Sequence, residues 1–577
     1  MAKLNDWLTI DKLSGEGNAT ITLTASSSQE LNDRVTSLRI DGKGIVSLLN
    51  VRQLAFVPTF SITPNPIQFT SDGSEIEVTI TGNTPWELIA DDWVTISDNY
   101  GTPYDGPLTK TIKISADINT GEYRQGVLTV KSKSSDTVYT SVAITQNAFN
   151  VEDYVQMVYE TKSDNETLYL FLGDSKDGYL TKYIEGSGSN IIWRKSDNVK
   201  TIIIDGVVYD IANDSYMTPI RDGFIIPKAG EHYVYVKFTD NRISKSGQSR
   251  SNPAFYKNKS LKRITIPSHY TVQDNDYHYG LFLNCTNLEY VDLNGVDCYV
   301  SNNTEYSAPF YGCNLKTLLN VKLIDGGIPA LLCRDMDKLE TFTIYNNETP
   351  TYIGVSAFAN CVKLPNEFIL KYIHKKTGTE IAGLAFANCV LLNGDNGTID
   401  FSGWSKINNG AFQGCNLINE VYVNGSGVYG QPPFGISGGG NSAFYGIGEV
   451  LHLVDGVPFN LANTTFKKAI CYKQREQNYW FGSALQYSTD NYSQLEEIEF
   501  LSQEREDFTD EWRLLQYLPN IKKLVFNSIL PPIVEYDTFE NSPYGGEVIY
   551  PNGADYSQIL STEPYYLGYY GWNGKNM

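Results

Sequence analysis

The chain has 577 residues, 41% of them hydrophobic, too long for a single core and apolar enough for roughly three or four packed domains. Its formal charge of −21 sets the surface against phosphate backbones and anionic lipid, so nucleic acid and membrane surfaces are not expected partners. No run reaches the ~18 apolar residues of a membrane span, and 48 glycines and 40 tyrosines against 5 methionines favour strands and turns over helical bundles.

The first residues, Met1 to Trp7, carry no apolar stretch of the kind that opens a secretory signal. From Trp7 onward come short alternating segments: Trp7-Leu-Thr-Ile10, Ala19 to Thr24, Arg34 to Ile40, and Ile45 to Gln53. Period-two alternation broken by glycine and polar turns predicts half-buried strands of a β-sandwich. The next block repeats the series. Trp93-Val-Thr-Ile96 matches the tryptophan strand, Thr111 to Ser115 matches Thr20 to Thr24, Arg124 to Val130 matches Arg34 onward, and Val142 to Gln146 matches the strand that ends at Gln53. The second block also has opening segments, Phe60 to Pro66 and Glu75 to Ile80, which the first block lacks. Trp86 and Trp93 are expected in the sandwich core rather than as sugar-stacking platforms.

With their tryptophan strand, arginine strand and terminal Thr-Gln, both blocks resemble BACON domains, small immunoglobulin-like sandwiches. The resemblance implies a truncated copy at 1–57 and a whole one at 58–148. A sandwich without its opening strands leaves unpaired edges, so a partner is expected over residues 1–57.

Residues 149–250 read as a small β domain capping a solenoid that begins near residue 251. Its strands are expected at Thr167–Leu172, Ile191–Trp193, Lys200–Ile204 and His232–Phe238. Asp174 to Gly178 lacks the later ligands of a calcium loop and reads as an Asp-rich turn.

Beyond residue 250 the chain repeats. Ala-Phe-Ala-Asn-Cys stands at Ala357–Cys361 and again at Ala385–Cys389, with looser copies ending at Cys285, Cys313 and Cys415 and a further one at Ala443–Gly446. Cys333 belongs to a degenerate copy. Spacings of about 20 to 30 residues are those of stacked solenoid coils, none of which can bury its apolar face alone. In phase with these elements run alternating triplets, among them Val291-Asp-Leu293, Val321-Lys-Leu323, Phe342-Thr-Ile344, Ile399-Asp-Phe401, Val421-Tyr-Val423 and Leu451-His-Leu453. They predict a parallel sheet whose outward column reads Asp292, Lys322, Thr343, Asp400, Tyr422, His452 and Glu499. All 8 cysteines lie between Cys285 and Cys471, and the recurrent ones are expected as free, buried thiols in one column. Asp510 to Tyr517 is the best helical stretch. The aromatic tail from Tyr565 to Trp572 is expected in the core of an end cap.

The array resembles BspA-type leucine-rich repeats, and the resemblance implies a solenoid over 251–520 and a C-terminal repeat with cap over 521–577. The fold expected for the whole chain is thus mostly β: tandem sandwiches, a small β domain, then a capped solenoid.

Catalysis is not expected. Gly435-Ile-Ser437-Gly-Gly439 fits a nucleophile motif only formally, because no strand precedes and no helix follows it. The five histidines show no metal-ligand spacing, and His269 and His278 around Asp274 and Asp276 read as a polar loop. No cofactor fingerprint occurs. The candidate ligand-binding residues are the outward Asp292, Asp400, Tyr422 and His452.

Taken together, the two resemblances imply a non-enzymatic virion protein of a phage of gut Bacteroidetes, a tail fibre or other appendage that assembles in the bacterial cytoplasm. Its N-terminal domains would meet other virion proteins, its repeats host polysaccharide or protein, and a homo-oligomer fits the same plan. The alternative is an extracellular BspA-like adhesin of the bacterial surface, whose export signal this chain does not show.

Overall fold

The computed structural model describes residues 2–28, 30–101, 108–133, 137, 139–170, 199–210, 223–238, 241–243, 255, 257–272, 281–297, 308–424, 443–455, 464–472, 494–508, 515–516 and 518–577. The expected strand at Ile191–Trp193, the Asp174–Gly178 turn, the Gly435–Gly439 motif, the His278 loop and most of the Asp510–Tyr517 stretch lie outside the described residues. The chain forms two compact units, 1–150 and 151–577.

In the first unit, residues 60–146 make two facing sheets, antiparallel except where Ile67–Phe69 pairs parallel with Tyr139–Gln146. One orders the strands Val94–Ile96, Leu108–Ala116, Ser74–Gly82 and Phe60–Thr63; the other runs Tyr100–Gly101, Trp86–Ile89, Arg124–Ser132, Tyr139–Gln146 and Ile67–Phe69. Alternating residues Val78, Ile80, Ile112, Ile114, Leu128, Val130, Val142 and Ile144 fill the space between them. Trp86 is fully buried there, and Gly101 has no side chain because a Cβ would run into the indole. Trp93 is half-buried, edge-on to Phe69 at 6.0 Å and under the Arg124 guanidinium at 4.6 Å. Both tryptophans therefore serve the sandwich itself. Residues 2–53 make a three-stranded sheet (Ala2–Lys3, Leu8–Ile10, Leu23–Ala25) and a separate hairpin of two nine-residue strands, Arg34–Gly42 and Ile45–Gln53.

In the second unit, an eight-stranded sheet begins antiparallel and becomes parallel. Val207–Asp210, Val199–Ile204, Gly230–Phe238 and Val155–Thr161 lead to Leu261–Thr265, followed by Tyr290–Asp292, Thr317–Val321 and Thr341–Ile344. Because Val155–Thr161 pairs with Leu261–Thr265, the first parallel strand is not left as an open edge. A second eight-stranded sheet, wholly parallel and in sequence order, runs from Thr398–Phe401 to Trp572–Asn576.

Each coil turns at its Phe/Cys element. The residue before the cysteine has positive φ, +61° at Asn284, +75° at Gly312, +65° at Asn360, +61° at Asn388 and +79° at Gly414, which is why only asparagine or glycine stands there. The phenylalanines stack coil on coil, with Phe358–Phe386 at 5.4 Å and Phe386–Phe412 at 5.2 Å between centroids. The thiols do likewise. Cys389 Sγ donates to the Phe358 carbonyl at 3.0 Å and Cys415 Sγ to that of Phe386 at 3.2 Å. Seven described cysteines are free and buried, and burial pushes the Cys415 thiol up to about 12. In the degenerate copy Cys333 takes the phenylalanine's place: Cys361 donates to the Cys333 carbonyl as Cys389 does to that of Phe358.

Two expectations about the strand column need correction. Lys322 lies beyond the strand Thr317–Val321 and does not pair with Asp292, whose neighbour is Leu319. A register shift between Leu318 and Val321, with Asn320 at φ +54°, displaces the triplet. Nor is the column continuous, because between the two sheets one coil replaces its strand with the helix Asn366–Tyr372. Pro365 opens it, and Leu364, Phe368, Ile369, Tyr372 and Ile373 follow helical spacing; all five are buried. That spacing is present in the sequence, but the alternating triplets on either side of it dominate the pattern.

Candidate functional site

The second sheet positions the site. Its inward columns Ile399, Val421, Leu451, Ala469 and Ile498, and beside them Phe401, Val423, Leu453, Cys471 and Phe500, are essentially fully buried. Period two then obliges the intervening residues to face away from the core. In register along that outward face stand Asp400, Tyr422, His452, Ile470 and Glu499. Two residues toward the N-terminus on the same face, a second column reads Thr398, Glu420, Val450, Lys468, Glu497 and Lys523.

Three rings gather on this face. Tyr422 and His452 stack at 3.8 Å with planes 6° apart. Tyr472, immediately after the strand Lys468–Cys471, shares a hydrogen bond of 3.0 Å between its hydroxyl and His452 Nδ1. His452 is therefore only 6% exposed although it points off the core. Its Nε2 has no hydrogen-bond partner among the described residues and lies 3.4 Å from Glu420 Oε2. Burial holds the imidazole below its ordinary pKa, against the opposing pull of Glu420. Burial likewise pushes the Tyr422 phenol up to about 12, helped by Tyr472. Both rings are thus uncharged near neutrality, flanked by the carboxylates of Glu420 and Asp400.

Beside the rings runs an ion-pair ladder. Lys468 Nζ reaches Glu499 at 2.6 Å and Glu497 at 3.0 Å, and Lys523 reaches Glu497 at 3.0 Å. Burial alone would raise Glu497, but the two lysines outweigh it and hold its carboxyl low. Burial would lower Lys468, and its two glutamates outweigh that in turn. The ladder neutralises one part of a strongly acidic protein and leaves a flat, polar border to the aromatic patch.

Of the four residues singled out in the sequence, Asp400, Tyr422 and His452 come together here. Asp292 does not. It belongs to the first sheet, and its Oδ1 accepts from the Asn294 backbone N–H at 3.1 Å and from Asn320 Nδ2 at 2.9 Å, so this carboxylate ties adjacent coils. Asp400 uses one oxygen similarly, accepting from the Ser402 N–H at 2.8 Å. Tyr472, Glu420 and Lys468 escaped the sequence reading. Lys468-Ala-Ile-Cys471 alternates in burial but not in polarity, because the outward position is Ile470, so the sequence carries no period-two signal that would have placed Tyr472 at a strand end.

A surface of this composition can stack a sugar ring or a planar side chain on its rings and accept hydrogen bonds at its edges. Among the described residues no three His, Cys, Asp or Glu side chains are grouped to hold a metal.

Comparison with known families agrees with the architecture. A family profile for BACON, described as a putative binding domain, N-terminal, matches residues 3–54 and 62–147. A profile for the BspA type leucine rich repeat region, in 6 copies, matches residues 233–324 and 328–430. The chain joins BACON domains to a BspA-type leucine-rich-repeat array. The second parallel sheet continues past residue 430, through Trp572–Asn576. Neither matched family is a catalytic one.

No curated protein matches the chain. Among solved structures it has a slight likeness to a Bacteroides ovatus GH5 xyloglucanase in complex with a XXXG heptasaccharide. That match has 16% identity and a TM-score of 0.14, and covers 23% of this chain and 29% of that one. The overlap spans under a third of the enzyme and bears on neither fold nor function here.

Proposed function

We propose that this chain is a non-enzymatic attachment protein whose second parallel sheet presents the Tyr422–His452–Tyr472 face to a cell-surface polysaccharide or protein. The observation that carries the proposal is the stacked ring pair on the outward side of a sheet whose inner side is fully packed, with Tyr472 as the exposed member of the face. Such a face contributes little to the core, and a rigid row of rings bordered by carboxylates suits a ligand of repeated sugar units. The finer reading is a virion appendage of a phage of gut Bacteroidetes. It draws support from the resemblances of both modules and from seven free, buried thiols, the state expected of a chain folded in a reducing cytoplasm. A bacterial surface adhesin uses the same face and differs in where the chain resides.

The test is binding of the purified chain to intact Bacteroidetes cells with and without capsular polysaccharide. Capsule-dependent binding that is lost on replacing Tyr422 and Tyr472 by alanine supports the proposal. Undiminished binding by that variant refutes this face as the site. Mass spectrometry of purified phage particles addresses the virion reading.

A further inference from the structure

Between the two eight-stranded sheets, the coil that carries the helix Asn366–Tyr372 has no strand to offer its neighbour. Thr398–Phe401, the first strand of the second sheet, therefore pairs with Glu420–Asn424 on one side and with no described strand on the other. Such an edge inside a solenoid leaves backbone donors and acceptors that need partners. The segment just after the helix supplies them. The Lys375 N–H donates to the Asp400 carbonyl at 2.9 Å, Trp404 Nε1 donates to the Ile373 carbonyl at 3.1 Å, and the Asp400 N–H donates to His374 Nδ1 at 3.1 Å.

The last of these bonds fixes the chemistry of the ring. A backbone N–H only donates, so Nδ1 must accept, and the proton of neutral His374 sits on Nε2. A protonated imidazole carries hydrogen on both nitrogens and accepts nothing. His374 is only 8% exposed, so little water stands by to replace the lost bond. The charged groups that face it are Lys375 and Lys376 on its own segment and Asp395 and Asp400 on the next coil. Burial, helped by the two lysines, holds the imidazole below its ordinary pKa against the pull of the two carboxylates.

His232 in the small β domain is built the other way. Its Nδ1 meets Asp205 Oδ2 at 2.7 Å and its Nε2 meets the Thr161 hydroxyl at 2.9 Å. A hydroxyl donates or accepts, and Thr161 Oγ1 also reaches the Lys228 carbonyl at 3.3 Å, so the bonds around His232 are complete with or without the extra proton. His374 has no such latitude.

Asp400 is also where the ring-bearing face begins, because it stands in register with Tyr422, which stacks on His452. We propose that His374 is a pH-sensitive catch for this face: its neutral ring holds Asp400 in line with Tyr422, and uptake of a proton releases the strand edge and weakens ligand binding. The catch rests on the reading of this face as the binding surface. A ligand that needs the ordered face competes with a proton that loosens it. Affinity is therefore full above about pH 6.5, the ordinary imidazole value, and falls as pH drops through the lower, folded-state value.

The test measures cell binding and amide hydrogen exchange of the full chain near pH 7.5 and near pH 5, on either side of the imidazole range. The parent is expected to bind on the order of tenfold more weakly at the lower pH, within the usual span of coupling between sites. Its Asp400 amide, after correction for the intrinsic exchange rate, should lose protection there, while amides of Gly230–Phe238 around His232 keep theirs. His374→Asn, whose Oδ1 stands in for Nδ1 as an acceptor that does not titrate, should keep both affinity and protection. His452→Gln should still lose Asp400 protection on acidification, which separates the catch from the other imidazole of the face. A parent that binds cells at neither pH refutes the binding face, and the exchange of its Asp400 amide then decides the catch alone. Asp400 protection in the parent that does not change with pH overturns the proposal, as does an acid-induced loss equally large in His374→Asn.

Discussion

The parallel part of the first eight-stranded sheet and the second eight-stranded sheet are built from the same coil and differ in what they do with their outward residues. In the first, the outward side chains join one coil to the next: Asp292 accepts from Asn294 and Asn320, and Asn294 Nδ2 donates to the Ile266 carbonyl at 3.0 Å. In the second, the same positions hold Tyr422 and His452, stacked on each other, with an ion-pair ladder beside them. Inward residues must satisfy one geometry in every coil. Outward residues are released from it and can be assigned either to structure or to a surface for binding.

Four measurements break or sharpen this contrast. The largest effect belongs to what the sheets share. Phe386 is fully buried between Phe358 and Phe412, so Phe386→Ala should cost about 3–5 kcal/mol in a denaturant titration. Next come the rings. Tyr422→Ala with Tyr472→Ala should weaken cell binding about tenfold or more, near 1.4 kcal/mol, and lower the unfolding midpoint only modestly, through the cover and the hydrogen bond that His452 loses. An equal loss of stability would mean that the rings are structural, as in the first sheet. Asp292→Ala should do the converse, lowering stability by about 1–2 kcal/mol through two unanswered donors with binding intact.

The smallest effect is a pH dependence. Burial depresses the folded-state pKa of His452 below its ordinary 6.5, so below that pH the unfolded chain binds the proton more readily. Stability contributed by neutral His452 is therefore complete above about 6.5 and lost as pH falls through the lower, folded-state value. Thermal unfolding of the parent and of His452→Gln across this window should converge on acidification. Parallel curves would show that the imidazole does not titrate in this way.

Some of this could be read from residues alone. Ala-Phe-x-Asn/Gly-Cys recurs because each coil needs a ring to stack, a left-handed turn residue and a thiol small enough to bury under the preceding carbonyl. Those demands are local and identical from coil to coil, so they repeat in the sequence. The matching strand series of the two sandwich blocks was legible for the same reason. Tertiary structure decided the rest. Lys322 left the column because Asn320 shifts the register, and the helix Asn366–Tyr372 split one expected sheet into two. Tyr472 joined the site from just past a strand end, and His452 was buried by rings on the flanking strands. Alternation states which way a side chain points. Whether solvent reaches it depends on neighbours some 20 to 30 residues away, about one coil distant, and only the stacking of coils brings them near.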